Sequence, residues 1–231
     1  MRRVMLKLSG EALGDSADKI YSFEFVNELC KQIKKVVTKK TQLVIMTGGG
    51  NIIRGSMLSH INKYKADEIG MLATYMNSLY IQSVMDLNKI KAKVYGAFEA
   101  SDIAELFSKD KIIKDLNEGY VIILAGGTGH PYFTTDTGVV LRSLELDCDE
   151  LLLAKSIDGV YDKDPAKYKD AKKYKKISID EVVDKRLGVI DLSASVLCQC
   201  NKLNLKIFSL KEKNSIQKAI SGSDIGTLVF S

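Results

Sequence analysis

At 231 residues, 45% hydrophobic and 27% charged, the chain is long enough for one large core and too apolar for intrinsic disorder. The net charge of +5 comes from lysines spread over helix faces and through KDPAKYKDAKKYKK (163–176), which reads as solvated surface, with a phosphorylated ligand or a polynucleotide as the other reading. MRRVMLKLSG starts directly as a strand, without an apolar segment of about 7–15 residues, and no run approaches the ~18 apolar residues of a membrane span, so neither export nor membrane insertion is expected and the cytoplasm is the expected location.

The first apolar run, VMLKL (4–8), carries a lysine in its interior and opens into SGEA. SFEFVNELCKQIKKVV follows as a helix, with Val26, Leu29, Cys30, Ile33 and Val37 on one face at about 3.6-residue spacing and Ser22 placed as its N-cap. QLVIM (42–46) is a second strand and ends in TGGGNIIRG (47–55). The stretch 66–88 is a long helix, apolar on more than one side, as suits a helix between a sheet and a further partner. Strands are then expected at AKVYGA (92–97), YVIILA (120–125), ELLLA (150–154), LKIFSL (205–210) and GTLVF (226–230). Helices are expected at 101–116, 136–146, 178–186, 191–202 and 214–221. This alternation predicts a three-layer α-β-α sandwich around a mainly parallel sheet, as one domain over 1–231 without repeat or linker.

Ligands of such sheets bind beyond the carboxyl ends of the strands, which singles out KLSGEA, TGGGNIIRG, AGGTGHPYFTTDTG and AKSIDGVYDKDP. Glycines there let backbone N–H groups approach an anion closely. Neither standard phosphate loop fits: Gly50 and Gly55 have P-loop separation but Ser56 takes the lysine position, and Gly48-x-Gly50 meets Ile53 where a third dinucleotide-fingerprint glycine belongs. A lone GGG is as well explained by a tight turn. Taken together, two glycine-rich strand ends and Lys7, costly to bury unless an anion meets it, point to a phosphate site. Thr134, Thr135, Asp136 and Thr137 stand at a helix start, where capping or anion binding would use them, and Asp158, Asp162 and Asp164 surround a loop stiffened by Pro165. His60 and His130 lie far apart, and Cys30, Cys148, Cys198 and Cys200 lack metal or redox spacing, so they are expected as reduced structural thiols. Cations, amides and a few carboxylates are the equipment of phosphoryl transfer, with Mg²⁺ arriving on a nucleotide.

LKLSGEAL, TGGGNIIRG, DEIGMLATYMN, GGTGHPYFTTDT and SIDGVYDKDPAK, in this order over nearly the whole chain, closely resemble the bacterial uridylate (UMP) kinases of the amino acid kinase superfamily. The resemblance implies the amino acid kinase (carbamate kinase-like) fold, with the N-terminal part mainly on the UMP side and the C-terminal part mainly on the ATP side. It implies transfer of the ATP γ-phosphoryl group to UMP in pyrimidine nucleotide synthesis, with Mg²⁺ as cofactor. Lys7, Leu8, Ser9 and Gly10 would approach the ATP phosphates, and Gly50 and Arg54 the transferring or ATP phosphates. Lys155, Tyr161 and Asp164 would line the adenine nucleotide. Gly49 and Asp67 would face UMP, enclosed by Thr128, Gly129, His130, Pro131, Tyr132, Phe133, Thr134 and Thr135. Asp136 would organise the reacting centre and Asp191 would orient catalytic lysines, so that Lys7, Arg54, Asp136 and Asp191 form the implied catalytic set. A homohexamer, inhibition by UTP and an effect of GTP are implied likewise.

The chain departs from the family pattern in places. TGHPYF replaces TGNPFF, putting His130 at an asparagine position, and LLLAKSIDG stands for the commoner KATKVDG, displacing the lysine. Residues 14–21 lack the glycines common in the segment associated with GTP. Two other readings stay open: a superfamily kinase making an acyl phosphate, and a UMP- or UTP-sensing regulator.

Overall fold

The apolar runs become strands because a sheet covered on both faces favours continuous Val, Ile and Leu. The structure, a computed structural model, describes residues 1–14, 19–38, 40–53 and 55–231. Its strands are β1 (Arg2–Leu8), β2 (Thr41–Thr47), β3 (Ala92–Gly96), β4 (Glu105–Leu106), β5 (Val121–Ala125), β6 (Glu150–Lys155), β7 (Lys176–Ser178), β8 (Leu205–Ser209) and β9 (Thr227–Phe230). The helices are α1 (Phe23–Val36), α2 (Lys63–Leu87), α3 (Lys109–Asn117), α4 (Thr135–Glu145), α5 (Ile179–Asp184), α6 (Leu192–Asn201) and α7 (Ser215–Ile220).

The strands form one sheet in the order β4-β3-β5-β2-β1-β6-β8-β9-β7. Every pairing is parallel except β8 with β9. Alternate residues feed two cores on opposite faces: Leu6, Leu8 and Ile45 pack with Val26, Ile33 and Ile81, while Met5, Val44 and Leu153 pack with Ile112, Val139 and Cys198. Helices α1, α2 and α7 thus cover one face and α3 to α6 the other, which is the predicted three-layer sandwich. Strand β1 sits between β2 and β6, the point at which successive strands turn to opposite sides and a crevice opens beyond the carboxyl ends.

Several local expectations hold. The Ser22 hydroxyl accepts from the Phe25 N–H at the start of α1. All four cysteines are free thiols, and burial pushes those of Cys30, Cys148 and Cys198 up to about 12. No described helix is long and apolar enough to cross a membrane.

The helix expected at 101–116 is a correction. Residues 101–103 turn, β4 extends the β3 edge through Tyr95↔Glu105 and Gly96↔Leu106, and only α3 is helical. The apolar spacing of Ile103, Leu106 and Phe107 imitated a helix, but the bare edge of β3 took this backbone instead; the Phe107 N–H donates to the Gly96 carbonyl at 2.8 Å. Strand β7, at the end of the lysine-rich loop, was also unexpected and is held by buried Ile177 and by pairing with β9. Arg54 and residues 15–18 of the segment linked to GTP lie outside the described residues.

Candidate active site

Strand periodicity brings the site together. Lys7 pairs in register with Leu153, so Lys155, two residues further along parallel β6, leaves the sheet on the same face as Lys7. Above that face α4 begins, with Thr134 as its N-cap accepting from the N–H groups of Asp136 and Thr137. Asp136 is therefore held in the first turn, facing both lysines. Its Oδ1 lies 2.9 Å from Lys7 Nζ and its Oδ2 lies 3.1 Å from Lys155 Nζ, with the three side chains only 13%, 14% and 20% exposed in the order Lys7, Asp136, Lys155. Lys155 Nζ also donates to the Val189 carbonyl.

Two largely buried cations share one carboxylate, with the Asp191 carboxylate acting on Lys155 through space. Burial alone would raise the Asp136 carboxyl, but the two ammonium groups overcome it and hold the carboxyl below its ordinary value. Burial pushes the Lys155 ammonium down; Asp136 opposes that and the charge of Lys7 adds to it. The anion that meets Lys7 is thus Asp136.

Asp191 stands one step behind. It caps α6 by accepting from the Ala194 N–H at 2.9 Å and accepts the hydroxyls of Thr134 and Thr137. It makes no ion pair with either lysine; it acts on Lys155 through space and anchors the α4 cap that carries Asp136, which holds both lysines.

The glycine loops close against one another. A β-carbon on Gly10 would lie 2.4 Å from the Gly48 oxygen and 2.7 Å from the Gly50 nitrogen, and one on Gly49 would lie 2.9 Å from Ala73 Cβ and from the Gly70 oxygen. Side chains at these positions would force apart the ends of β1, β2 and α2. The Leu8 side chain is in the core and its carbonyl accepts the Gly48 N–H, which ties the two loops together at the end of β1. Ser9 makes no side-chain cap bond to the 3₁₀ turn that follows it.

Beside the cluster lies a cavity of about 270 Å³ between α2 and the loop after β5. Of the expected residues, Gly49, Gly50, Asp67, Thr128, His130, Phe133, Thr134 and Thr135 line it. Gly129, Pro131 and Tyr132 belong to the enclosing loop without lining the cavity. Asp67 Oδ2 accepts the Tyr132 N–H at 2.7 Å, which latches the loop onto α2. Thr74 also anchors the loop, its hydroxyl accepting the Gly126 N–H at 2.7 Å, and Arg142 donates to the Thr128 carbonyl at 3.4 Å. Buried Thr74 and Asn77 were not singled out from the sequence, although polar residues interrupting the apolar face of a covered helix are a legible signal.

Tyr161 and Asp164 are not joined to the cluster by any contact among the described residues. The Tyr161 hydroxyl donates to Asp158 within its own loop, and Asp164 caps the Ala166 N–H at 2.9 Å. Among the described residues no group of three or more His, Cys, Asp or Glu side chains is placed to hold a metal. The oxygens of Asp136 are taken by lysines and those of Asp191 by threonines and a backbone N–H, so this donor set fits a cation carried on phosphates rather than one caged by protein.

The chain matches the model of the amino acid kinase family over residues 2–209. Among solved structures it is similar to the UMP kinase from Bacillus anthracis, at 32% identity and a TM-score of 0.95 over 99% of this chain and 96% of that one. It is similar to the UMP kinase from Ureaplasma parvum at 32% identity and a TM-score of 0.95, covering 100% and 99% of the two chains. The uridylate kinase from Archaeoglobus fulgidus matches at 27% identity and a TM-score of 0.75, covering 99% and 100%.

Proposed function

The chain belongs to the amino acid kinase family, and we propose that its reaction is transfer of the ATP γ-phosphoryl group to UMP, giving ADP and UDP. The observation that carries this reading is the buried pair of lysines on Asp136, at the meeting of the glycine-loop strand ends and beside a cavity of about 270 Å³. The relatives of 32% identity, matched over nearly their full length, are UMP kinases, which supports UMP as acceptor.

In this reading UMP occupies the cavity between α2 and the loop after β5, with its phosphate at the glycine loop, while ATP lies over the ends of β1, β6 and β8. Magnesium carried on the ATP phosphates would supply charge neutralisation between them. An oxygen of the UMP phosphate attacks the γ-phosphorus in line, and the bond to the β,γ-bridging oxygen breaks with its electron pair staying on ADP. Lys7 and Lys155 offset the repulsion between the two anions, and Asp136 keeps both ammonium groups aimed at the transferring group. No general base is needed, since a phosphomonoester with a second pKa of about 6 is largely ionised at neutral pH. Arg54, from the same glycine segment, is proposed as a further cation on the transferring phosphoryl group.

A coupled ADP-release assay with UMP, CMP, aspartate and N-acetylglutamate tests the reading. UMP should support turnover far above the others. Turnover with an amino acid alone would move the chain to acyl-phosphate chemistry, and tight UMP binding without turnover would make it a sensor.

A further inference from the structure

We propose that Asn77 is a positioning residue that locks the Gly48–Gly49 peptide with the Gly49 N–H facing the acceptor phosphate. The inference rests on the phosphoryl-transfer reading above and adds to it a residue buried behind the site.

Asn77 lies within α2 and is fully buried. Its Nδ2 donates to the Gly48 carbonyl at 2.7 Å and to Asn51 Oδ1 at 2.8 Å. Asn51 Nδ2 donates back to Asn77 Oδ1 at 3.0 Å and onward to the Ile20 carbonyl at 3.0 Å. Both N–H bonds of each amide are used, so the pair is a closed network that fixes the two side chains against each other. A helix needs no such group for packing: asparagine is a poor helix former, and an apolar residue would fill the space at no cost in buried polarity.

What the network does is hold one backbone oxygen. In a trans peptide the carbonyl and the following N–H point in opposite directions, so tying the Gly48 oxygen to α2 turns the Gly49 N–H away from Asn77. Gly49 lines the cavity and its N–H has no acceptor among the described residues. The choice of peptide orientation matters here because glycines on both sides leave this peptide little steric preference of its own. Gly10 closes the other side, within 2.4 Å of the Gly48 oxygen when given a β-carbon, so the tethered oxygen also defines where the first glycine loop can sit. With the opposite orientation a carbonyl would face the phosphate and repel it.

The test uses the full chain labelled with ¹⁵N-glycine. In the wild type the Gly49 amide proton should move downfield when UMP is added. Asn77→Asp keeps the shape but sets an oxygen against the Gly48 oxygen; it should lose that shift, raise KM for UMP and lower kcat by about a hundredfold or more, the effect of losing one preorganised donor, while KM for ATP stays within about twofold. Ser78→Ala is the control for damage to the helix, because the buried Ser78 hydroxyl bonds only to the Thr74 carbonyl of its own helix; it should leave the Gly49 shift and both KM values unchanged. A wild-type Gly49 amide unmoved by nucleotide, or an Asn77→Asp protein with normal shift and normal KM for UMP, overturns the proposal. If Asn77→Asp does not fold, Asn77→Ser, which is too short to reach the Gly48 oxygen, takes its place with the same shift and KM readouts and the same criteria. If the wild type binds UMP with the Gly49 shift but transfers no phosphoryl group, the kinase reading fails and the positioning role stands.

Discussion

Lys7 was legible as a residue because a lysine inside an apolar strand needs an anion, but its partner was not, since Asp136 is 129 residues away in sequence and meets it only across the sheet and α4. Lys7→Ala is expected to cut turnover by orders of magnitude while circular dichroism and melting stay near those of the wild type; near-normal activity would remove its assigned role. Asp136→Asn should behave differently, because it strands two buried cations and costs about 3 kcal/mol or more of stability. The Asp136 carboxyl is held below its ordinary 3.8, so its contribution to stability is complete above that value and disappears as pH falls through the lower folded value. Urea titrations across this acid range should show the advantage of the wild type over Asp136→Asn shrinking towards zero, and an advantage independent of pH would contradict the ion-pair account. Lys155 runs in the opposite sense to a stabilising lysine: its folded value is lowered, so below that value its buried charge costs stability, and the cost is relieved as pH rises towards 10.5. The resemblance implies Lys155 beside the adenine nucleotide, and its register beside Lys7 on the neighbouring strand sets its ammonium group on Asp136.

Elements were read from periodicity, and periodicity worked where one neighbour decides the outcome. The long apolar strands and α1, with its single buried face, came out where expected. It failed at 101–116, where a two-residue strand is defined only by the edge it joins. The glycine loops show the same dependence: GGG in a sequence is compatible with a turn, and only the packing of Gly49 on α2 and of Gly10 on the Gly48 oxygen and Gly50 nitrogen excludes a side chain at those two positions. Gly10→Ala is accordingly expected to push the ends of β1 and β2 apart, because the opposing atoms are backbone and cannot rotate aside. Activity should be lost and the melting temperature should fall; a Gly10→Ala protein with full activity would show that the two loops need not touch.

At the scale of the molecule, α2 has two faces with different tasks. One carries buried Thr74, Asn77 and Ile81 against the sheet, and the other exposes Ile69, Leu72, Met76 and Leu87. Such a stripe is the surface that the expected homohexamer would bury first. Light scattering should then report a smaller mass for the double variant Leu72→Lys, Met76→Lys than for the wild type, and an equal mass would place any assembly on another surface. The sequence by itself determined the alternation of strand and helix, the glycine-rich loops at the strand ends and the family, because local hydrophobic period and short motifs survive without knowledge of the fold. The tertiary structure alone decided the sharing of Asp136 by two lysines, the step back of Asp191 to a helix cap, and the tether from Asn77 to the Gly48 oxygen. Each of these depends on strand register and on a helix crossing a strand end, and a contact of that kind leaves no pattern along the chain that a local reading can detect.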